Sequence, residues 1–302
     1  MNNLNEKLFP KFWDAVEAMA KCFDIDKPVL SKSEVFNETW MLRLTLARIY
    51  DFTGVFTNVN ESKKSALIMI REAVRKCWIS EGGLEPAFKK EGTTWTDAIL
   101  GDITIGEYDD GDGDKRKVKF QDKSNGNSPS VIVVEAKMGS SLSKSVTNSP
   151  DYDQAARNIA CLSKLLLEAE KGEGAFFVFM PDGQKHNLRP DNFSEAKNFI
   201  SNAIKTIEDQ NTDRPIESKR NGKPEIAKRE YSFAKDKKKK FLGIVKSIIG
   251  SDNLKEKNSM VLTWDEIIDS MDDKTDNTSG IVSDTEKLRA FYKNALAEIK
   301  RK

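Results

Sequence analysis

SPSVIVVEAKMGSSLSK, residues 128–144, reads as a buried strand that ends in charge. Side chains alternate along a strand, so Val131, Val133, Glu135 and Lys137 share one face while Ile132, Val134 and Ala136 share the other. The second face is apolar throughout. On the first, two valines give way to a carboxylate and an ammonium. Charges that close to a sheet centre are costly unless they pair or bind an ion. A strand that simply emerges into solvent at Glu135, carrying a weak surface pair, is the competing explanation of the same residues.

The chain has 302 residues, enough to bury a substantial core as one large domain or two small ones. With 38% hydrophobic and 32% charged residues it has the composition of a soluble globular protein, which confines disorder to segments. Its 49 basic and 48 acidic side chains leave a net charge of +1, so attraction to nucleic acid has to come from local clustering. Cys22, Cys77 and Cys161 lie far apart without zinc spacing or a disulfide framework, and read as core thiols of a reducing compartment. MNNLNEKLFPKF lacks a basic start followed by an apolar run, and AFFVFM at 175–180 is too short to span a bilayer. The expectation is a cytoplasmic protein with no membrane partner.

Around the opening stretch the pattern changes twice. Apolar residues at helical spacing predict helices near 12–20, from Ser33 through Trp40, Leu44 and Ala47, and from Glu61 through Ile70 and Val74. After EGGLEP at 81–86 come strand-like runs: AILGDITIG at 98–106, RKVKFQ at 116–121 and VIVVEAK at 131–137. Ser149, Pro150 and Asp151 look like a helix start, followed by a stripe from Tyr152 to Leu166. A buried strand at 174–180, a helix at 190–208, a polar segment at 209–240, a helix at FLGIVKSII, a strand at SMVLTW and helices at DEIIDSM and 284–300 complete the order. Strands alternating with helices predict an α/β fold, a central sheet flanked by helices with an N-terminal helical layer at 1–80 and the core at 81–302, as one continuous domain.

The chemistry turns on which acid meets Glu135. A hairpin that begins at Asp97 in TTWTDAIL, or at Asp102 in LGDITIG, and returns as VIVVEAK brings an Asp, a Glu and a Lys together. Two carboxylates can hold a hard cation such as Mg²⁺ (or Mn²⁺), which retains waters and accepts phosphate oxygens. Asp97 stands where the strand begins. Asp102 stays open as the alternative, since Gly101 could mark a bulge that re-aims it.

This constellation resembles the PD-(D/E)xK nuclease superfamily, the restriction-endonuclease-like fold, with Glu135-Ala136-Lys137 as its most specific element. The resemblance covers roughly residues 61–180 by pattern. It implies a helix, a strand carrying the Asp, a second strand ending in E-x-K, a helix and another strand, built into a restriction-endonuclease-like core with a mixed sheet. It also implies a metal-dependent endonuclease hydrolysing DNA phosphodiester bonds in restriction or phage defence, as a possible homodimer. Asp97 (or Asp102) and Glu135 would hold Mg²⁺, Lys137 would position the attacking water, and Gln154 would support the site from the following helix, with Arg157 and Asn158 close by. The proline of the family's pair is missing: Thr96 precedes Asp97 and Gly101 precedes Asp102. A further acid from the preceding helix would fall to Glu72, which reads more simply as a surface residue.

Other motifs carry less. DDGDGDKRKVKF lacks the Gly and Glu of a calcium loop, and GSSLSKS at 139–145 lacks the glycine before lysine of a phosphate loop. The single histidine, His186, leaves histidine-based mechanisms without partners. KDKKKK at 235–240 suits either DNA phosphates or a solvated helix face. A catalytically silent nuclease-like domain that binds nucleic acid or a partner protein, and a structural α/β protein with a surface Glu135–Lys137 pair, are the alternatives.

Overall fold

The computed structural model describes residues 37–89, 91, 93–106, 117–121, 130–144, 152–170, 172–188, 191–210, 230–250, 258–272 and 283–300. The expected helix at 12–20, Cys22, most of DDGDGDKRKVKF, and Ser149 to Asp151 lie outside them.

Among the described residues seven α-helices and seven strands follow in order: α1 (Glu38–Asp51), α2 (Glu61–Lys76), β1 (Trp78–Leu84), β2 (Thr94–Gly101), β3 (Ile103–Gly106), β4 (Lys117–Phe120), β5 (Ser130–Ala136), α3 (Gln154–Ala169), β6 (Glu173–Met180), α4 (Asp191–Gln210), α5 (Lys238–Ile249), β7 (Ser259–Thr263), α6 (Trp264–Ser270) and α7 (Asp284–Ile299). The strands form one mixed sheet in the order β3-β4-β1-β2-β5-β6-β7. β1 and β5 each run antiparallel to β2, while β5, β6 and β7 are mutually parallel. The carboxyl ends of β1, β5, β6 and β7 therefore meet the amino end of β2 at one end of the sheet.

Burial follows the alternation expected of β5. Ile132, Val134 and Ala136 join a core shared with α1, α2, α6 and α7, and Val131 and Val133 join a second core under α3, α4 and α5. Covered on both faces, β5 and β6 can be apolar at almost every position, as a parallel pair requires. The helices start where side-chain oxygens can take orphan N–H groups. Asn37 caps α1, Asn60 caps α2, and Thr263 and Glu266 form a capping box on α6. No helix among the described residues is long and apolar enough to cross a membrane.

Three expectations are corrected. The run at 98–106 is not one strand: Gly101 has φ +110°, and a Cβ there would lie 2.0 Å from the Ser130 carbonyl oxygen, so only glycine permits the bend that separates β2 from β3. β2 and β5 are adjacent and antiparallel but form no direct hairpin, because β3 and β4 intervene in sequence. The helix after β5 starts later than the Ser149-Pro150 signature suggests. Its N-cap is Asp153, whose side chain accepts from the Ala156 N–H.

Candidate active site

β5 and β2 bring two carboxylates together through register alone. Ala98 pairs with Val134 in the antiparallel ladder, which sets Asp97 across from Glu135. The ladder then opens: the Ala136 N–H, which faces β2, donates to Asp97 Oδ2 at 2.7 Å instead of to a backbone carbonyl. That contact turns the Asp97 carboxylate into the sheet plane, toward the end of β5.

Glu135 and Lys137 are not a surface pair. Glu135 is 1% exposed and Lys137 7%, so the strand carries both charges into the interior. Lys137 Nζ lies 3.4 Å from Glu135 Oε2 and 3.9 Å from Asp97 Oδ2. The backbone of Lys137 is fixed on both sides: its N–H donates to the Phe179 carbonyl, and its own carbonyl accepts from Trp264 Nε1 at 3.0 Å. Rigid placement of the ammonium comes from β6 and α6, not from a loop.

α3 supplies the donors that make a buried Glu135 tolerable. Gln154 Nε2 donates to Glu135 Oε2 at 2.8 Å, and Asn158 Nδ2 donates to Oε1 at 2.6 Å. The two residues are four apart, one helical turn, which puts both amides on the face that meets the strand end. Gln154 also holds the segment after β5, since Ser143 and Gln154 exchange hydrogen bonds in both directions.

The acid contributed by a preceding helix is Glu38, in the first turn of α1. Its carboxylate accepts from the Met138 N–H and feels both Lys137 and Asp97. Glu72 instead lies on the solvated side of α2, 60% exposed, among Arg71 and Arg75. Sequence reasoning missed Glu38 because nothing local marks it, and it stands almost a hundred residues before the motif that it joins.

Asp102 is elsewhere. Its N–H bonds the Ser130 carbonyl, which places it beside the start of β5, roughly 16 Å from Glu135 at about 3.3 Å per residue. It is 0% exposed, and Oδ2 accepts from both Lys76 Nζ and the Ser130 N–H at 2.8 Å. Asp102 therefore braces the Gly101 bend and cannot share an ion with Glu135.

The electrostatics concentrate on the three acids. Burial, reinforced by Asp97 and only partly opposed by Lys137, pushes the Glu135 carboxyl well above the usual carboxylate range. Burial also raises Glu38, against the opposing pull of Lys137. Desolvation alone would lower Lys137, but Glu135, Asp97 and Glu38 outweigh it and hold the ammonium above its ordinary value. Three carboxylates against one ammonium leave an excess of two negative charges when all are ionised.

That excess matches one divalent cation. Among the described residues no group of three or more His, Cys, Asp or Glu is arranged to hold a metal. Mg²⁺, however, is bound through one or two carboxylates with waters completing its shell, and Asp97 and Glu135 supply two. Asn158 Oδ1 is buried with no hydrogen-bond partner, a further polar atom at the same wall. The donor set fits a hard cation and offers nothing to a soft one.

The remaining sequence features fall outside this cluster. His186 is held by Asp265, at 2.8 and 3.0 Å to its two oxygens, and Tyr292 donates to the same carboxylate, which ties the β6–α4 connection to α6 and α7. Cys161 is buried against the Thr94 hydroxyl. Residues 235–240 are exposed: Lys235–Lys237 form a 3-10 turn that leads into α5, which starts at Lys238 without a side-chain cap. Compared with protein-family models, with curated proteins and with solved structures, the chain matches none.

Proposed function

We propose that this chain is a metal-dependent nuclease that hydrolyses DNA phosphodiester bonds, with a restriction-endonuclease-like core. The observation that carries the reading is the junction of Asp97, Glu135 and Lys137 at the ends of two adjacent antiparallel strands, with Glu135 and Lys137 buried, Asp97 half-buried, and Glu135 held by amides of the next helix. The order of elements supports it: helix α2, strand β2 with the Asp after β1, strand β5 ending in E-x-K after β3 and β4, then helix α3 and strand β6.

In this reading Asp97 and Glu135 would hold Mg²⁺ or Mn²⁺, and Glu38 adds negative charge beside Lys137 and Asp97. When bound, the cation neutralises charge developing on the phosphoryl group. Lys137, fixed through its backbone and kept protonated by three acids, donates a hydrogen bond that orients the attacking water and stabilises the in-line geometry. Gln154 and Asn158 keep Glu135 in one rotamer, so that its carboxylate is preorganised. The exposed lysines at 235–240 add salt-dependent, sequence-independent attraction to phosphates. A homodimer would bring two such sites together, and restriction or phage defence is the role we propose for that activity.

A second reading has its own support. Both oxygens of Glu135 already accept from amides, and Asp97 Oδ2 from a backbone N–H, an arrangement also suited to a catalytically silent domain that binds nucleic acid or a partner. Incubating supercoiled plasmid with the protein in Mg²⁺, in Mn²⁺ and in EDTA separates the two. Nicking only with metal is the nuclease outcome; salt-sensitive binding indifferent to metal, with intact plasmid, is the silent one.

A further inference from the structure

Trp95 is an exposed aromatic placed next to the candidate site. Three large apolar side chains are exposed among the described residues, Val55, Ile68 and Trp95, and only Trp95 lies on a strand that carries a site acid. It is 47% exposed, where its ring could have been covered or replaced by a polar residue without loss to either core. Across the ladder it pairs with Gly83, which has no side chain to pack on it, and on its other side β5 has already ended. Trp95 and Asp97 stand two positions apart, about 6.8 Å along an extended strand and the spacing that returns side chains to one face. That is about the length of one nucleotide.

We infer that Trp95 is a stacking platform for an unpaired base of the nucleotide next to the phosphate held at Asp97, Glu135 and Lys137. The inference rests on the nuclease reading and names its substrate class: single-stranded or locally unpaired nucleic acid. An indole face accepts any base, because every base presents a π-face, so the contact selects for strand state and not for sequence. A base inside a duplex is already stacked on its neighbours and gains nothing from Trp95 unless it first unpairs. The position therefore favours single strands, frayed ends and mismatches over uniform duplex.

The test uses a short phosphorothioate oligothymidylate, which resists hydrolysis, and the same strand annealed to its complement, both titrated in Mg²⁺. Wild type, Trp95→Ala and Trp95→Phe are compared by anisotropy and by tryptophan emission. The expected result is tighter binding of the single strand by the wild type, with quenched emission. Trp95→Ala should lose roughly 5- to 150-fold in affinity, the range of one base–aromatic stack, and Trp95→Phe should keep most of it. The quench should be absent from both variants. Equal single-strand affinity in wild type and Trp95→Ala, or a preference for the duplex, overturns the stacking role while leaving the nuclease reading standing. Failure of the wild type to bind either form overturns both.

Discussion

Asn158 Nδ2 donates to Glu135 Oε1 across 2.6 Å with both groups buried, so a neutral helix residue supplies one of the hydrogen bonds that hold the carboxyl at the strand end. Asn158→Ala removes the donor and leaves a buried carboxyl under-satisfied, a change worth about 1–3 kcal/mol. Urea unfolding should show that loss, and Mg²⁺ affinity should weaken because Glu135 is no longer fixed. Unchanged stability would mean that the hydrogen bond does not hold Glu135.

The raised Glu135 makes metal binding pH-dependent. A proton and a cation compete for the same carboxyl, so Mg²⁺ affinity measured by calorimetry should rise with pH until Glu135 is ionised, by up to about tenfold per pH unit. The metal-free protein should behave oppositely. Its native state holds this proton more tightly than the unfolded chain, whose Glu titrates near the ordinary 4.5, so stability falls as pH rises above that value. Added Mg²⁺ should reverse the slope, and a flat profile in both conditions would contradict the coupling.

Asp153, the N-cap of α3, offers a second test by titration. Burial, against the opposing Ala156 and Ala155 N–H groups, pushes its carboxyl up from 3.8 to about 6. The native state therefore binds this proton more tightly, and stability declines between about pH 4 and pH 6 and stays reduced above. Asp153→Asn keeps a good N-cap without the buried charge and should gain about 1–3 kcal/mol at pH 8 while matching the wild type near pH 4. Asp153→Ala loses the cap and should be less stable than Asp153→Asn by about 1 kcal/mol at either pH.

The two candidate aspartates separate cleanly. Asp102→Asn weakens the brace formed with Lys76 and Ser130, and since Lys76 is partly exposed the cost should be about 1–3 kcal/mol. The folded variant should bind Mg²⁺ as the wild type does. Asp97→Asn should do the reverse, keeping most stability and losing Mg²⁺ affinity. Loss of Mg²⁺ binding in Asp102→Asn at full folding would contradict the assignment.

Legibility in the sequence followed the kind of information each residue needed. β5, β6 and α3 were readable because burial forces apolar runs and stripes, and E-x-K stood out by breaking such a run. β1 was not: WISEGGL places a left-handed Glu81 and two glycines inside a strand, a composition that local propensity assigns to a turn. The long-range pairing with β2 overrides it. The choice between Asp97 and Asp102 could not be settled from spacing, because it depends on the bend at Gly101 and on register across β3 and β4. Glu38 was invisible for the same reason, as only the packing of α1 beside the end of β5 brings it to Met138 and Lys137.

The most direct measurement is Mg²⁺-dependent nicking of supercoiled plasmid by wild type, Asp97→Ala, Glu135→Ala, Lys137→Ala and Asp102→Asn, each at matched folded concentration. Cleavage is expected from the wild type and from Asp102→Asn, abolished by EDTA, with a loss of at least about a hundredfold in the other three variants. Equal cleavage by all five, or none by a folded, Mg²⁺-loaded wild type on either single-stranded or duplex DNA, would contradict that expectation.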